Sequence, residues 1–144
     1  MRAKLISEAA DRTYAVIFET DDEAVAGLQR FARDYGLAGS QLSAIGAFRD
    51  VTLGYFDWDT KDYRTTSIRE QVEVLSLLGD IALADDGPKV HAHVVVGKSD
   101  GSAHGGHLVE AHVRPTLEVI VVESPKHLQR RYDPKSRLAL IVLD

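Results

Sequence analysis

The chain has 144 residues, 44% hydrophobic and 27% charged, with a formal net charge of -5 at neutral pH. That is the balance of one soluble globular domain with enough apolar mass for a sizeable core, and its acidity argues against non-specific binding to nucleic acid or to an anionic membrane. Cysteine is absent, which excludes disulfides and thiolate metal sites, so a transition metal would have to use histidine, carboxylate or water. No signal-peptide pattern opens the chain and no apolar run approaches the ~20 residues that span a bilayer, so the cytoplasm is the expected compartment.

Residues 1–11 are short and mixed, with Arg2 and Lys4 read as solvated ends and no basic Arg-Gly-Arg-Pro core. Thr13–Glu19 reads as the first strand, because Tyr14, Val16 and Phe18 alternate with smaller or polar residues. Asp21–Tyr35 reads as the one long helix, opened by a Thr20/Glu23 capping box and closed at Gly36. Its apolar stripe is Val25, Leu28, Phe31, Ala32 and Tyr35.

Ser40–Phe48 and Asp50–Trp58 read as two strands joined near Arg49, with Gly46 and Gly54 marking bulges or close backbone approach. A short strand follows around Tyr63–Ile68. Tyr55, Phe56, Trp58 and Tyr63 suit core packing better than the lining of a pocket or a stacking surface for bases. Gln71–Leu78 is another strand. Glu73, flanked there by Val72 and Val74, is a candidate base or histidine-orienting carboxylate, against an exposed-face reading. Asp85-Asp86-Gly87-Pro88 is a turn.

The chemistry gathers in the next stretch, VHAHVVVGKSDGSAHGGHL, from Val90 to Leu108. Val90–Val96 alternates and is β-branched, so it reads as a strand, with Leu108–Val113 as its hairpin partner. His91 and His93, two apart, share a face with Cα atoms about 6.6 Å apart. The turn decides where His107 points. A two-residue Asp100-Gly101 loop sets it opposite Val94, on the wrong face. The expected loop is the three-residue Ser99-Asp100-Gly101, with Gly101 left-handed, which sets it opposite His93, provided no bulge forms at Gly105-Gly106. Three imidazoles with a fourth position open is the pattern of a catalytic or ligand-accepting zinc site. The competing reading is a solvated histidine face. His104 reads as near solvent and His112 as surface.

Arg114-Pro115 ends that strand. Thr116–Glu123 restarts as a β-branched run in which Glu118 is a second candidate base or ligand, or else an edge carboxylate. Val119–Val122 lacks alternation, which suggests that both faces are covered. Ser124–Tyr132 begins Ser-Pro and reads as a short helix with His127, Arg130 and Arg131 on its solvated face. Leu138–Leu143 is a final strand. The whole is an α+β domain over residues 1–144, with a mixed, largely antiparallel sheet, one long helix and a short C-terminal helix.

The histidine stretch, PTLEVIVV, SAIGAFRDVTLGYFD and VEVLSLLGDIAL together resemble, in order, the prokaryotic members of the PPC (plants and prokaryotes conserved) domain family, over about residues 14–142. The resemblance implies a compact α/β domain that assembles as a homotrimer. In plants the domain follows short basic DNA-binding hooks, which this chain lacks. Some stand-alone members have a histidine motif that suggests bound metal, and it falls here on His91, His93 and His107. Two functions stay open. One is a zinc protein, or one of another divalent transition metal, serving a small-molecule ligand or reaction with Glu73 or Glu118 moving a proton. The other is a trimeric interaction module associated with DNA-binding proteins, without direct DNA contact or catalysis of its own.

Overall fold

The computed structural model describes the backbone of residues 1–8 and 11–143, and the side chains of residues 1 and 11–143. Nine strands and one helix follow the order β1 (Arg2–Glu8), β2 (Arg12–Glu19), α1 (Ala24–Asp34), β3 (Gly39–Asp57), β4 (Asp62–Ile68), β5 (Val72–Ala84), β6 (Gly87–Gly97), β7 (Ala103–Glu123), β8 (Gln129–Asp133) and β9 (Leu138–Val142). Among the described residues all nine strands belong to one mixed sheet, antiparallel except for a single parallel bridge between Leu83 of β5 and Gln129 of β8. Strands β3, β5, β6 and β7 pair in a ring, each with the next and β7 back to β3. This closure carries the ribbon β6–β7 round to lie beside β3.

The helix shows how the core forms. Leu28, Phe31 and Ala32 are fully buried and form one apolar stripe against the sheet. Burying a phenylalanine such as Phe18 or Phe31 contributes about 1.5–3 kcal/mol. Tyr35, expected on that stripe, is 43% exposed, although its ring still stacks on Phe31 at 4.5 Å. The helix starts later than Asp21, and its cap is Glu23 instead of Thr20. The Glu23 carboxylate accepts from the Val25 and Ala26 amides at 3.1 and 2.5 Å, and from Ala111 N of β7 at 3.1 Å. One side chain thus ends the helix and ties it to the sheet. Gly36, with φ 61°, ends α1 as expected.

Four further expectations are corrected. Residues 2–8 form a strand paired with β2, and the side chains of Arg2 and Lys4 lie outside the described residues. The two strands expected over residues 40–58 are one strand, β3, bent by register shifts around Gly46 and again near Arg49. The break expected at Arg114-Pro115 is a cis peptide inside β7, which runs unbroken for 21 residues. The short C-terminal helix over Ser124–Tyr132 is absent: the segment bends and then forms β8. Leu128 N donates to Ala38 O and Leu83 N donates to Leu128 O, both at 2.8 Å. Backbone groups at a sheet margin need partners, and this segment supplies them in extended form.

Candidate metal centre

The centre rests on two hairpins. In the β6–β7 hairpin Lys98 N donates to Ser102 O at 2.9 Å, Gly101 N donates to Lys98 O at 3.0 Å, and Gly101 has φ 82°. This is the three-residue loop with a left-handed glycine. Asp100 braces it by accepting from Ser102 N and Oγ at 2.9 and 2.6 Å. The pairing then runs without a bulge from Gly97↔Ala103 through Val94↔Gly106 to His93↔His107. At Gly106 β3 approaches closely: a Cβ there would lie 2.8 Å from Gly54 O. In the β5–β6 hairpin Ala84 pairs with Gly87 across Asp85-Asp86, which sets Asp80 opposite His91.

His91, His93 and His107 therefore converge. Each offers a ring nitrogen within 4.8 Å of the others. His91 Nε2 and His93 Nε2 are 3.2 Å apart. Two nitrogens bound tetrahedrally to one zinc at about 2.0–2.1 Å stand roughly 3.3 Å apart, so that pair already has the spacing of two ligands. His107 is diagonal to His91, with ring centroids 5.2 Å apart, and must lean in.

The electrostatics favour neutral imidazoles at His107 and His93. Burial first, then the His91 and His93 charges, push His107 down to about 4. Burial and the neighbouring His91 lower His93 as well. Unprotonated imidazole is the form that ligates a metal. His107 Nδ1 is buried without a hydrogen-bond partner, the kind of orphan that a bound group relieves. The donor set and its spacing fit a divalent transition metal.

Tyr63 of β4 lies against His107, ring centroids 4.9 Å apart, and Phe56 edges Tyr63 at 5.4 Å. The other two aromatics of that group do not pack inside: Tyr55 is 73% and Trp58 60% exposed, with Lys61 Nζ over the indole at 2.9 Å. A cleft of about 210 Å³ opens beside His91, walled by Tyr63, Val90, Arg130 and the β9 residues Leu138 and Leu140. His104 is exposed, as expected. His112 is half-buried and its Nδ1 stands 2.7 Å from Asp50 Oδ1, so it is a partnered residue of the sheet and not bare surface.

The two candidate carboxylates stand apart from the cluster. Glu73 is exposed and pairs with Gly97, four residues or about 13 Å along β6 from His93. Glu118 is exposed, paired with Ile17 and Ile45, eleven residues along β7 from His107. The carboxylate that does border the histidines is Asp80. Its Oδ2 is 3.6 Å from His91 Nδ1, and its Oδ1 accepts from Arg130 Nη2 at 2.5 Å. Burial raises the Asp80 pKa, but the contacts with His91 and Arg130 outweigh it and leave the carboxyl below its ordinary value. The signal for Asp80 was the Asp85-Asp86 turn, since a two-residue loop there counts back to this pair. Arg130, expected on a solvated helix face, is 8% exposed.

Comparison with known proteins agrees with this architecture. The profile of the Plants and Prokaryotes Conserved (PCC) domain, also abbreviated PPC, matches residues 6–125. The chain belongs to the PPC domain family. Among solved structures, this PPC domain superposes on a plant- and prokaryote-conserved protein from Pyrococcus horikoshii with TM-score 0.85 and 28% identity, over 92% of this chain and 93% of that one. A metal-containing protein from Archaeoglobus fulgidus gives TM-score 0.85 and 31% identity over 97% and 99%. A protein from Bacteroides thetaiotaomicron that carries the provisional name of DNA-binding protein gives 0.87 and 28% over 97% and 96%. A curated relative, the bifunctional protein GlmU of Synechococcus sp. (strain JA-3-3Ab), is 37% identical over 110 residues, which is 74% of this chain but only 16% of that protein's length.

Proposed function

We propose that this PPC domain is a metal protein that holds a divalent transition metal, zinc in the first instance, on His91, His93 and His107 and offers it to a small-molecule ligand. The observation that carries the reading is the convergence of three ligand nitrogens within 4.8 Å, two of which have the separation of metal-bound neighbours. The metal-containing relative from Archaeoglobus fulgidus supports it. A metal on three imidazoles supplies a Lewis acid with one coordination position left for a ligand. The chain's own part is to keep the His107 and His93 imidazoles unprotonated, to seat His107 against Tyr63, and to shape the cleft beside His91 for a small organic body. The reading gives no role to Glu73 or Glu118.

Elemental analysis of protein purified without a metal-affinity tag tests the proposal. Stoichiometric metal, or zinc taken up and retained through dialysis, is the expected result. Protein that stays metal-free after incubation with zinc overturns it.

Assembly as a homotrimer belongs to the same proposal. Ile45, Leu75, Leu78 and Ile120 line one shallow groove on the outer face and are 61, 54, 61 and 41% exposed in the single chain. A large exposed apolar patch marks an interaction surface, and Leu78 pairs with His93, so the patch borders the histidines. A second reading, an interaction module serving DNA-binding proteins, draws on the provisional names of the Bacteroides relative and of another from Ralstonia eutropha. The net charge of -5 opposes direct contact with DNA. Electrophoretic mobility shift at low salt tests direct contact alone, which requires retention of duplex DNA that weakens steeply with added salt, and elemental analysis for metal separates the two readings.

A further inference from the structure

Asp80 and Arg130 form a layer behind the histidines. Arg130 sits on β8, beyond the residues 6–125 that match the family profile. Its Nη1 donates to Ala139 O of β9 at 2.9 Å and its Nη2 to Asp80 Oδ1 at 2.5 Å, so the C-terminal hairpin grips the Asp80 carboxylate by one oxygen. The other oxygen faces His91 Nδ1 at 3.6 Å, while His91 Nε2 faces His93. That gap is too long for a hydrogen bond, and closing it requires the imidazole to turn.

We infer that Asp80 is the positioning residue for His91. It accepts a hydrogen bond from Nδ1–H, fixes the tautomer that leaves Nε2 free to ligate, and is itself aimed by Arg130 of the C-terminal hairpin. The inference rests on the three-histidine metal reading. A ligating histidine commonly donates its second ring N–H to a carboxylate, and loss of that partner weakens metal binding by about 10–100-fold. Arg130 gives the arrangement a second consequence: the β8–β9 hairpin tunes a site to which it contributes no ligand.

Zinc competition against a chromophoric chelator reads this directly, on Asp80→Asn, Asp80→Ala and the double variant D80A/R130M. Asp80→Ala should raise the zinc dissociation constant by about 10–100-fold, and Asp80→Asn, which keeps an acceptor oxygen, by less. The double variant removes the buried cation that Asp80→Ala would leave unpaired. It should show the same loss of affinity as Asp80→Ala, with a metal-free melting temperature nearer the wild type. The visible spectrum of the cobalt-loaded protein should shift in each. Folded D80A/R130M that binds zinc within twofold of the wild type overturns the positioning role alone. A wild type that binds no zinc overturns both this inference and the metal reading.

Discussion

At the residue scale, what distinguishes His107 is its surroundings. Its ring is packed against Tyr63, one nitrogen has no partner, and burial lowers its pKa to about 4. In the unfolded chain a histidine titrates near 6.5. Between about 6.5 and about 4 the unfolded chain therefore binds a proton that the folded, metal-free chain refuses, and stability falls as pH falls through that window. Urea midpoints of chelator-treated protein should drop from pH 7 to pH 5, and His107→Gln should lose most of that dependence. His93→Ala makes a separate prediction. His93 is exposed, so the variant should keep its fold and melting temperature in chelator. It should nonetheless lose zinc affinity by more than the about 10–100-fold that removal of a ligand's hydrogen-bond partner costs, because here a ligand itself is gone. A variant that melts lower yet binds zinc normally would mark the ring as structural.

At the element scale the unit is the β6–β7 ribbon. Its loop places a left-handed residue at Gly101, whose φ is 82°, and a Cβ added there would have no neighbour within 4 Å. Gly101→Ala therefore meets no clash and costs mainly backbone strain, about 1–3 kcal/mol. The register should survive, because β5 holds β6 and β3 holds β7 independently of the turn. Chemical denaturation should show the loss of stability, with zinc affinity changed by no more than a few-fold. A collapse of zinc binding would mean that the turn alone sets the register.

At the scale of the whole molecule, the outer apolar groove is the surface on which the proposed trimer rests. Ile120 is 41% exposed although the run Val119–Val122 suggested cover on both faces. The proposed trimer supplies that cover from a neighbouring copy. Leu78→Asp places a charge in the middle of the patch and should convert a trimeric mass in analytical ultracentrifugation to a monomeric one, with little loss of the monomer's own stability since Leu78 is 61% exposed. A wild type that sediments as a monomer at high concentration removes the assembly from the proposal. Among the described residues no helix is long and apolar enough to cross a membrane.

Local sequence alone settled what depends on short-range periodicity and turn chemistry. The alternation of Val90–Val96 made a strand, and His91 and His93 had to share its face. Ser99-Asp100-Gly101 marked the turn but allowed two loop lengths, and the structure chose the three-residue one that brings His107 back to them. Gly36 ended the helix for the same kind of reason. What needed the tertiary structure were contacts between distant segments. Glu23 caps α1 because β7 lends it a third donor. Residues 129–133 are strand and not helix because Leu128 and Gln129 meet the open margin of β5. Asp80 and Arg130, fifty residues apart, meet behind His91 only once β8 docks there. Periodicity reports which way a side chain faces along its own element, whereas a carboxylate's partner is fixed by the packing of elements that the chain brings together from far apart.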